Sequence, residues 1–94
     1  VAASGPARGR DHRLGTRPLR VGTAPESEIR LPGDPYVSTS HAEVVVEGEE
    51  ALVRDLGSTN GTYRNDERIH EAPLRDGDRL RFGLSEFVFK SVRL

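Results

Sequence analysis

Short apolar runs, broken every few residues by turn formers, set the pattern of this chain. The clearest run is Ala42 to Glu47, where Ala42, Val44 and Val46 alternate with Glu43, Val45 and Glu47. That period of two predicts a strand. Gly48-Glu49-Glu50 turns it back, and Ala51 and Val53 alternate with Leu52 and Arg54 to complete a hairpin. Leu19 and Val21 share a face in the run that ends at Gly22, and Ile29-Arg30-Leu31 alternates again. Val1 to Ser4 reads as a short edge strand before the Gly5-Pro6 turn, and His12 and Leu14 fit alternate positions of another. Asn65-Asp66-Glu67 predicts a tight turn between Tyr63 and Ile69, and His70 to Ala72 a short connection before Pro73. Asp76-Gly77 turns the chain between Leu74 and Leu80, and Leu80 and Phe82 point the same way before Gly83. In the last run Phe87, Phe89, Ser91 and Arg93 share one face, and Val88, Lys90, Val92 and Leu94 the other. Neither face is purely apolar, so the pattern leaves the inward one open.

Almost no stretch carries a helical period. About ten or eleven short strands with dense turn signals predict an all-β sandwich of two twisted, mostly antiparallel sheets, or a small barrel. The 94 residues are expected to form a single domain spanning 1–94. Because the chain begins at Val1 rather than methionine, it is expected to be a fragment of a larger protein.

The loops hold the polar groups that a strand scaffold would keep rigid. Thr23 to Glu28 is one, shaped by Pro25, and Pro32-Gly33-Asp34-Pro35 is another, followed by the hydroxyl run Ser38-Thr39-Ser40. The stretch that organises the rest is Asp55-Leu56-Gly57-Ser58-Thr59-Asn60-Gly61-Thr62. Gly57 and Gly61 can take positive φ and close a tight loop around two hydroxyls and an amide. Such a cluster of short neutral donors and acceptors suits a peptide backbone or an oxyanion. It equally suits an Asx-turn that ends one strand and starts the next.

Composition narrows the choice of function. Charged residues make up 31% but the formal net charge is only -1, so no strong field draws the chain to nucleic acid or a membrane. Fourteen basic residues include one lysine, Lys90, and the arginines offer rigid forks for phosphate or carboxylate. Five of them, Arg8, Arg10, Arg13, Arg17 and Arg20, make the N-terminal quarter positive. There is no cysteine, no apolar run of membrane length and no signal-peptide h-region. His12, His41 and His70 lack metal-ligand spacing, and no cofactor is expected. A triad of Ser38 or Ser40 with His41 and Asp55 lacks a nucleophile-elbow pattern. Asp55, Asp76 and Asp78 lack the spacing of a calcium loop, and Gly57 to Gly61 lacks the lysine and helix of a phosphate-binding loop. Few aromatics are available for base stacking, so nucleic acid is not an expected partner. The chain is not expected to be an enzyme.

Taken in order, the motifs resemble a forkhead-associated (FHA) domain of bacterial type. The series runs from Gly5-Pro6 and Gly9 through Leu14, Val21-Gly22, Ser27-Glu28-Ile29-Arg30-Leu31, Val37-Ser38 and His41-Ala42. Its most specific piece is Asp55 to Thr62 followed by Asn65, and Leu74, Gly77-Asp78, Leu80 and Gly83 close it. The resemblance implies a β-sandwich whose loops at one end bind a phosphothreonine peptide, in a cytoplasmic signalling protein. It implies phosphate contact from Ser38, help from Thr59 in holding the phosphothreonine, a peptide-backbone bond from Asn60, and a neighbouring contact from Thr39. His41, Gly22, Gly57, Ser58, Gly61 and Asn65 would brace or shape the loops.

One departure from the family pattern matters most. The family places an arginine, its main charged phosphate ligand, directly after the glycine of the second-strand motif, and here Thr23 follows Gly22. The basic residue common after the serine in bacterial members is also replaced, by Thr39 and Ser40. Thr23 therefore joins the candidate contacts, and Arg64, Arg30 or an N-terminal arginine is the candidate to supply the charge from another direction. The expected partner is a threonine-phosphorylated protein or peptide bound with weakened or altered phosphate recognition. The alternative is a degenerate domain that binds an unphosphorylated partner or acts as a structural or oligomerisation module.

Overall fold

Ten strands in two sheets make up the computed structural model, which describes the backbone of residues 2–4 and the whole of residues 12–90. They are β1 (Ala2–Ser4), β2 (Leu19–Gly22), β3 (Ile29–Arg30), β4 (Ala42–Glu47), β5 (Glu50–Asp55), β6 (Thr62–Arg64), β7 (Glu67–Ile69), β8 (Glu71–Leu74), β9 (Arg79–Phe82) and β10 (Ser85–Val88). One five-stranded sheet has the order β1-β10-β9-β6-β7 and the other β3-β2-β4-β5-β8. All pairings are antiparallel except β2 with β3. The fold is the expected sandwich, and the pairing of Ala2 with Val88 brings the first and last strands together.

The inward faces follow the alternation. Val21, Val44 and Val53 of one sheet and Leu80, Phe82 and Phe87 of the other form a core in which none is more than 1% exposed. The rings of Phe82 and Phe87 meet edge to face, 5.8 Å between centroids. Burying each such side chain contributes roughly 1.5–3 kcal/mol, so these six carry much of the sandwich. On β10 the inward face is the phenylalanine face, with Ser85 and Phe87 buried and Phe89 buried just beyond. At Asn65 and Asp66 φ is 50° and 70°, the paired positive values of a two-residue hairpin turn between β6 and β7.

Three expectations are corrected. His70 to Ala72 is not a connection: Glu71 to Leu74 is strand β8, paired with β5 through Ala51–Leu74 and Arg54–Glu71. Pro73 is tolerated because β8 lies at the edge of its sheet, where a missing N–H breaks no ladder. His12 and Leu14 keep the alternation, half-buried around an exposed Arg13, but form no strand. Leu14 packs on the core and the His12 ring sits 6.0 Å from Phe87, so packing rather than sheet pairing sets their direction. In β4 the alternation inverts at its far end, with Val46 45% exposed and Val45 6%. Val46 lies at the rim of the sandwich, whereas Val45 is registered against Leu52 on the outer face. Gly5-Pro6, Gly9, Ser91 and Arg93 lie outside the described residues. Among the described residues no helix is long and apolar enough to cross a membrane.

Candidate functional site

Three loops meet at one end of the sandwich: the one leaving β2, the one entering β4, and the one joining β5 to β6. Gly22 ends β2 where the chain around Thr39 crosses over it. A Cβ at Gly22 would lie 2.1 Å from the Thr39 carbonyl oxygen, so only glycine fits this crossing. The crossing is fixed by Thr23 N–H to the Ser38 carbonyl at 3.2 Å and Ala24 N–H to the Thr39 carbonyl at 3.3 Å.

His41, fully buried, ties the loops together. Its Nδ1 accepts the Ser38 N–H at 3.1 Å and its Nε2–H donates to the Gly61 carbonyl at 2.8 Å. A backbone N–H can only donate and a carbonyl can only accept, so these partners select the Nε2–H tautomer. The backbone of His41 adds bonds to Val21 O and from Leu56 N–H, and its ring stands edge-on to Phe82 at 5.8 Å. This arrangement leaves no nucleophile and base pair. His41 receives an amide of Ser38, not its hydroxyl, and Ser38 Oγ instead accepts the Thr59 N–H at 3.1 Å.

The Asp55–Thr62 loop is closed by its own first residue. Asp55 Oδ2 accepts the Gly57 and Ser58 N–H groups, each at 3.0 Å, while Oδ1 accepts the Ser58 and Thr62 hydroxyls. Ser58 Oγ in turn accepts the Gly61 N–H at 3.0 Å. The Asx-turn reading and the recognition reading thus describe one object, because the turn presents Thr59 and Asn60. Burial works to raise the Asp55 pKa. The Ser58 and Thr62 hydroxyls and the Ser58 and Gly57 amides outweigh it and hold the carboxyl below its usual range. Gly57 and Gly61 take φ of 80° and 89°.

Between these loops lies an open cleft lined by Thr23, Pro35, Tyr36, Val37, Ser38, Thr39, Thr59 and Asn60. Five of the sequence candidates, Thr23, Ser38, Thr39, Thr59 and Asn60, come together here. Gly22, His41, Gly57, Ser58 and Gly61 lie around and beneath it. Asn60 is held by its Nδ2–H to the Tyr36 carbonyl at 2.9 Å. Three candidates lie elsewhere. Arg64 is at the far end of β6, registered against buried Leu80, and reaches to the Pro73 carbonyl at 3.1 Å and Asp78 at 3.7 Å. It ties the two sheets at their other end, because its position on β6 turns it inward. Asn65 also belongs to that end, where its side chain bonds Asp78 Oδ1 and the Arg79 N–H. It braces the β6–β7 turn, not the cleft. Arg30 is exposed and registered against Gly22 but does not line the cleft. Among the described residues no charged side chain does.

Sequence reasoning passed over Asp34. Its carboxylate, 1% exposed, accepts the Tyr36 N–H at 3.0 Å, and across the sandwich the Leu84 N–H at 2.7 Å and the Ser85 hydroxyl at 2.9 Å. Nothing local in Pro32-Gly33-Asp34-Pro35 announces partners so far along the chain. Tyr36, half-exposed beside the cleft, was likewise unmarked.

A β-sandwich that gathers neutral donors and acceptors on loops at one end is a recognition scaffold. The FHA-domain family model matches residues 19–83, and the chain belongs to that family. It is 40% identical over 89 residues to the glycogen accumulation regulator GarA of Mycolicibacterium smegmatis, covering 95% of this chain and 56% of GarA. It is 39% identical over 82 residues to the FHA domain-containing protein FhaA of Mycobacterium tuberculosis, covering 87% of this chain and 15% of FhaA. The chain therefore spans about half of one curated relative and a small part of the other. A solved structure described as an analysis of phosphothreonine-dependent FHA domain interactions superposes with a TM-score of 0.85 at 38% identity, covering 92% of this chain and 88% of that one. As a member of the family the chain is a non-catalytic protein–protein interaction module.

Proposed function

We propose that the cleft recognises a threonine-bearing segment of a partner protein in the phosphothreonine manner, with a weakened phosphate contribution. One observation carries this reading: the polar side chains lining the cleft include three threonines, a serine and an asparagine, with no cation among the described residues. Ser38 Oγ accepts from Thr59 and keeps its own proton to donate. Asn60, anchored through Nδ2, keeps its carboxamide oxygen for a peptide N–H. The Thr23 and Thr39 hydroxyls complete the set. Bonds from these neutral donors to a phosphate are charge-assisted, about 1.5–3 kcal/mol each, but the described lining adds no cation to pair with the dianion. The likeness to a phosphothreonine-dependent domain supports the ligand class. In this reading the 94 residues are the recognition unit of a larger cytoplasmic signalling protein.

The same neutral lining favours a second reading, in which the partner is unphosphorylated and is held through hydrogen bonds and shape. Titration with paired threonine and phosphothreonine peptides separates the two. The first reading expects a phosphothreonine preference, smaller than that of a Thr23→Arg variant and abolished by Asn60→Ala or Ser38→Ala. Equal binding of the pair that both variants still abolish establishes the second.

A further inference from the structure

The outer face of the β1-β10-β9-β6-β7 sheet carries a row whose register is Glu86 on β10, Arg81 on β9, Tyr63 on β6 and Arg68 on β7. The Arg81 guanidinium lies over the Tyr63 ring, 4.3 Å from its centroid. Arg68 flanks the same tyrosine from the other side and leans on the recognition loop, such that a Cβ at Gly61 would meet its Nε at 2.7 Å. Stacking over an aromatic face and resting on a loop restrict two long side chains before any ligand arrives.

Neither guanidinium has a carboxylate ion-pair partner among the described residues. Arg54, Arg64 and Arg79 do, with Arg54 paired to Glu43, Glu47 and Glu71, Arg64 to Asp78 and Arg79 to Asp66. Glu86 is the acidic member of the row and sits beyond Arg81, away from the loop. The outer face of the other sheet carries Arg20, Arg30 and Arg54 beside Glu43, Glu47 and Glu71, and there Arg54 is engaged by all three glutamates. An acidic ligand therefore finds cations not already engaged by carboxylates on the Arg68–Tyr63–Arg81 face.

From this geometry we infer that Arg68, Tyr63 and Arg81 form a second contact surface, taking a carboxylate-rich stretch of the same partner whose threonine segment occupies the cleft. Arg68 against Gly61 makes the strip continuous with the loop that presents Asn60. The inference rests on the cleft reading for the identity of the partner, and on the strip itself for the chemistry. It places the cationic contribution outside the cleft, where it selects flanking sequence instead of the phosphate.

Three probes test it by heteronuclear NMR titration of the 94-residue chain: a phosphothreonine peptide with neutral flanks, the same peptide extended by glutamates, and the glutamate run alone. The extended peptide is expected to bind roughly three- to tenfold tighter than the neutral one, the range of two exposed charge pairs. Added shifts should fall at Tyr63 and at the Arg68 and Arg81 side chains. The advantage should shrink to under about twofold in about 0.5 M salt, and likewise in Arg68→Gln/Arg81→Gln. No advantage, an advantage kept by that variant, or added shifts confined to another face overturns the inference. So does concentration-dependent broadening of the strip without peptide, which would assign it to a second copy. If the neutral peptide fails while the glutamate run shifts the strip, the cleft reading falls and the strip stands. If the neutral peptide binds and glutamates add nothing, the strip falls and the cleft reading stands.

Discussion

Asp34 Oδ2 accepts the backbone N–H of Leu84 at 2.7 Å, joining the loop before β4 to the β9–β10 turn across fifty residues of sequence and from one sheet to the other. The same carboxylate holds the Tyr36 N–H, and the Tyr36 carbonyl holds Asn60. A buried group is thus linked to a cleft residue through the backbone of one residue, Tyr36. Asp34→Ala should cost roughly 2–4 kcal/mol, since it strands the buried Ser85 hydroxyl and two amides. Asp34→Asn keeps one acceptor and should cost less. Denaturant unfolding gives the order, and a shifted Asn60 side-chain amide resonance in Asp34→Asn reports the connection to the cleft. An unmoved Asn60 resonance would reduce Asp34 to a clamp between the sheets.

His41→Ala removes the partners of the Ser38 N–H and the Gly61 carbonyl and opens a cavity beside Phe82. Both losses fall on stability, at roughly 2–4 kcal/mol together. The melting temperature and peptide affinity should drop in parallel. An unchanged melting temperature with lost binding would make His41 a ligand contact instead.

How much of this was legible in the sequence depended on the reach of each interaction. Strands β2, β4 and β5 are written in local alternation, and the Asx-turn at Asp55 in a spacing of two and three residues. Strand β8 was hidden because Pro73 argues against a strand unless the strand lies at an edge, and edge position is a property of the whole sheet. Arg64 looked available as a cation near the loop, but two residues past Thr62 the strand has turned its side chain inward at the far end. Asp34 was silent because two of its partners come from a different hairpin in the other sheet.

Asp55 gives the Asp55–Thr62 loop a pH dependence. Its folded pKa lies below the ordinary value, so it stabilises the fold above roughly pH 4, the unfolded aspartate value. That contribution is lost as pH falls through the depressed folded value, when a protonated carboxyl can no longer accept four hydrogen bonds. Asp78, depressed despite its burial by Asn65, the Arg75 amide and the neighbouring arginines, acts in the same direction at the opposite end. Asp55→Asn should therefore be less stable than the parent at neutral pH and converge on it in acid. Urea unfolding at stepped pH measures the gap. A gap that stays constant down to about pH 2 would show that the Asp55 charge contributes nothing.

Thr23→Arg tests what the cleft is built for. Thr23 lines the cleft beside Ser38 and Thr39, and its backbone is already fixed by the N–H bond to the Ser38 carbonyl. An arginine there needs no new backbone geometry and meets no other cation of the lining among the described residues. If Ser38, Thr59 and Asn60 stand around a phosphate position, the added guanidinium supplies the cationic partner that the neutral set lacks. Its expected value of about 1.5–3 kcal/mol corresponds to roughly 10- to 100-fold tighter phosphothreonine-peptide binding. The unphosphorylated peptide should gain little, because it offers no dianion, and stability should barely change at a partly exposed position. Calorimetric titration of both peptides into parent and variant measures the difference. Gain with both peptides alike would reflect general charge attraction and should vanish with salt. No gain with either would mean that the cleft does not surround a phosphate, and the phosphothreonine reading would fall with it.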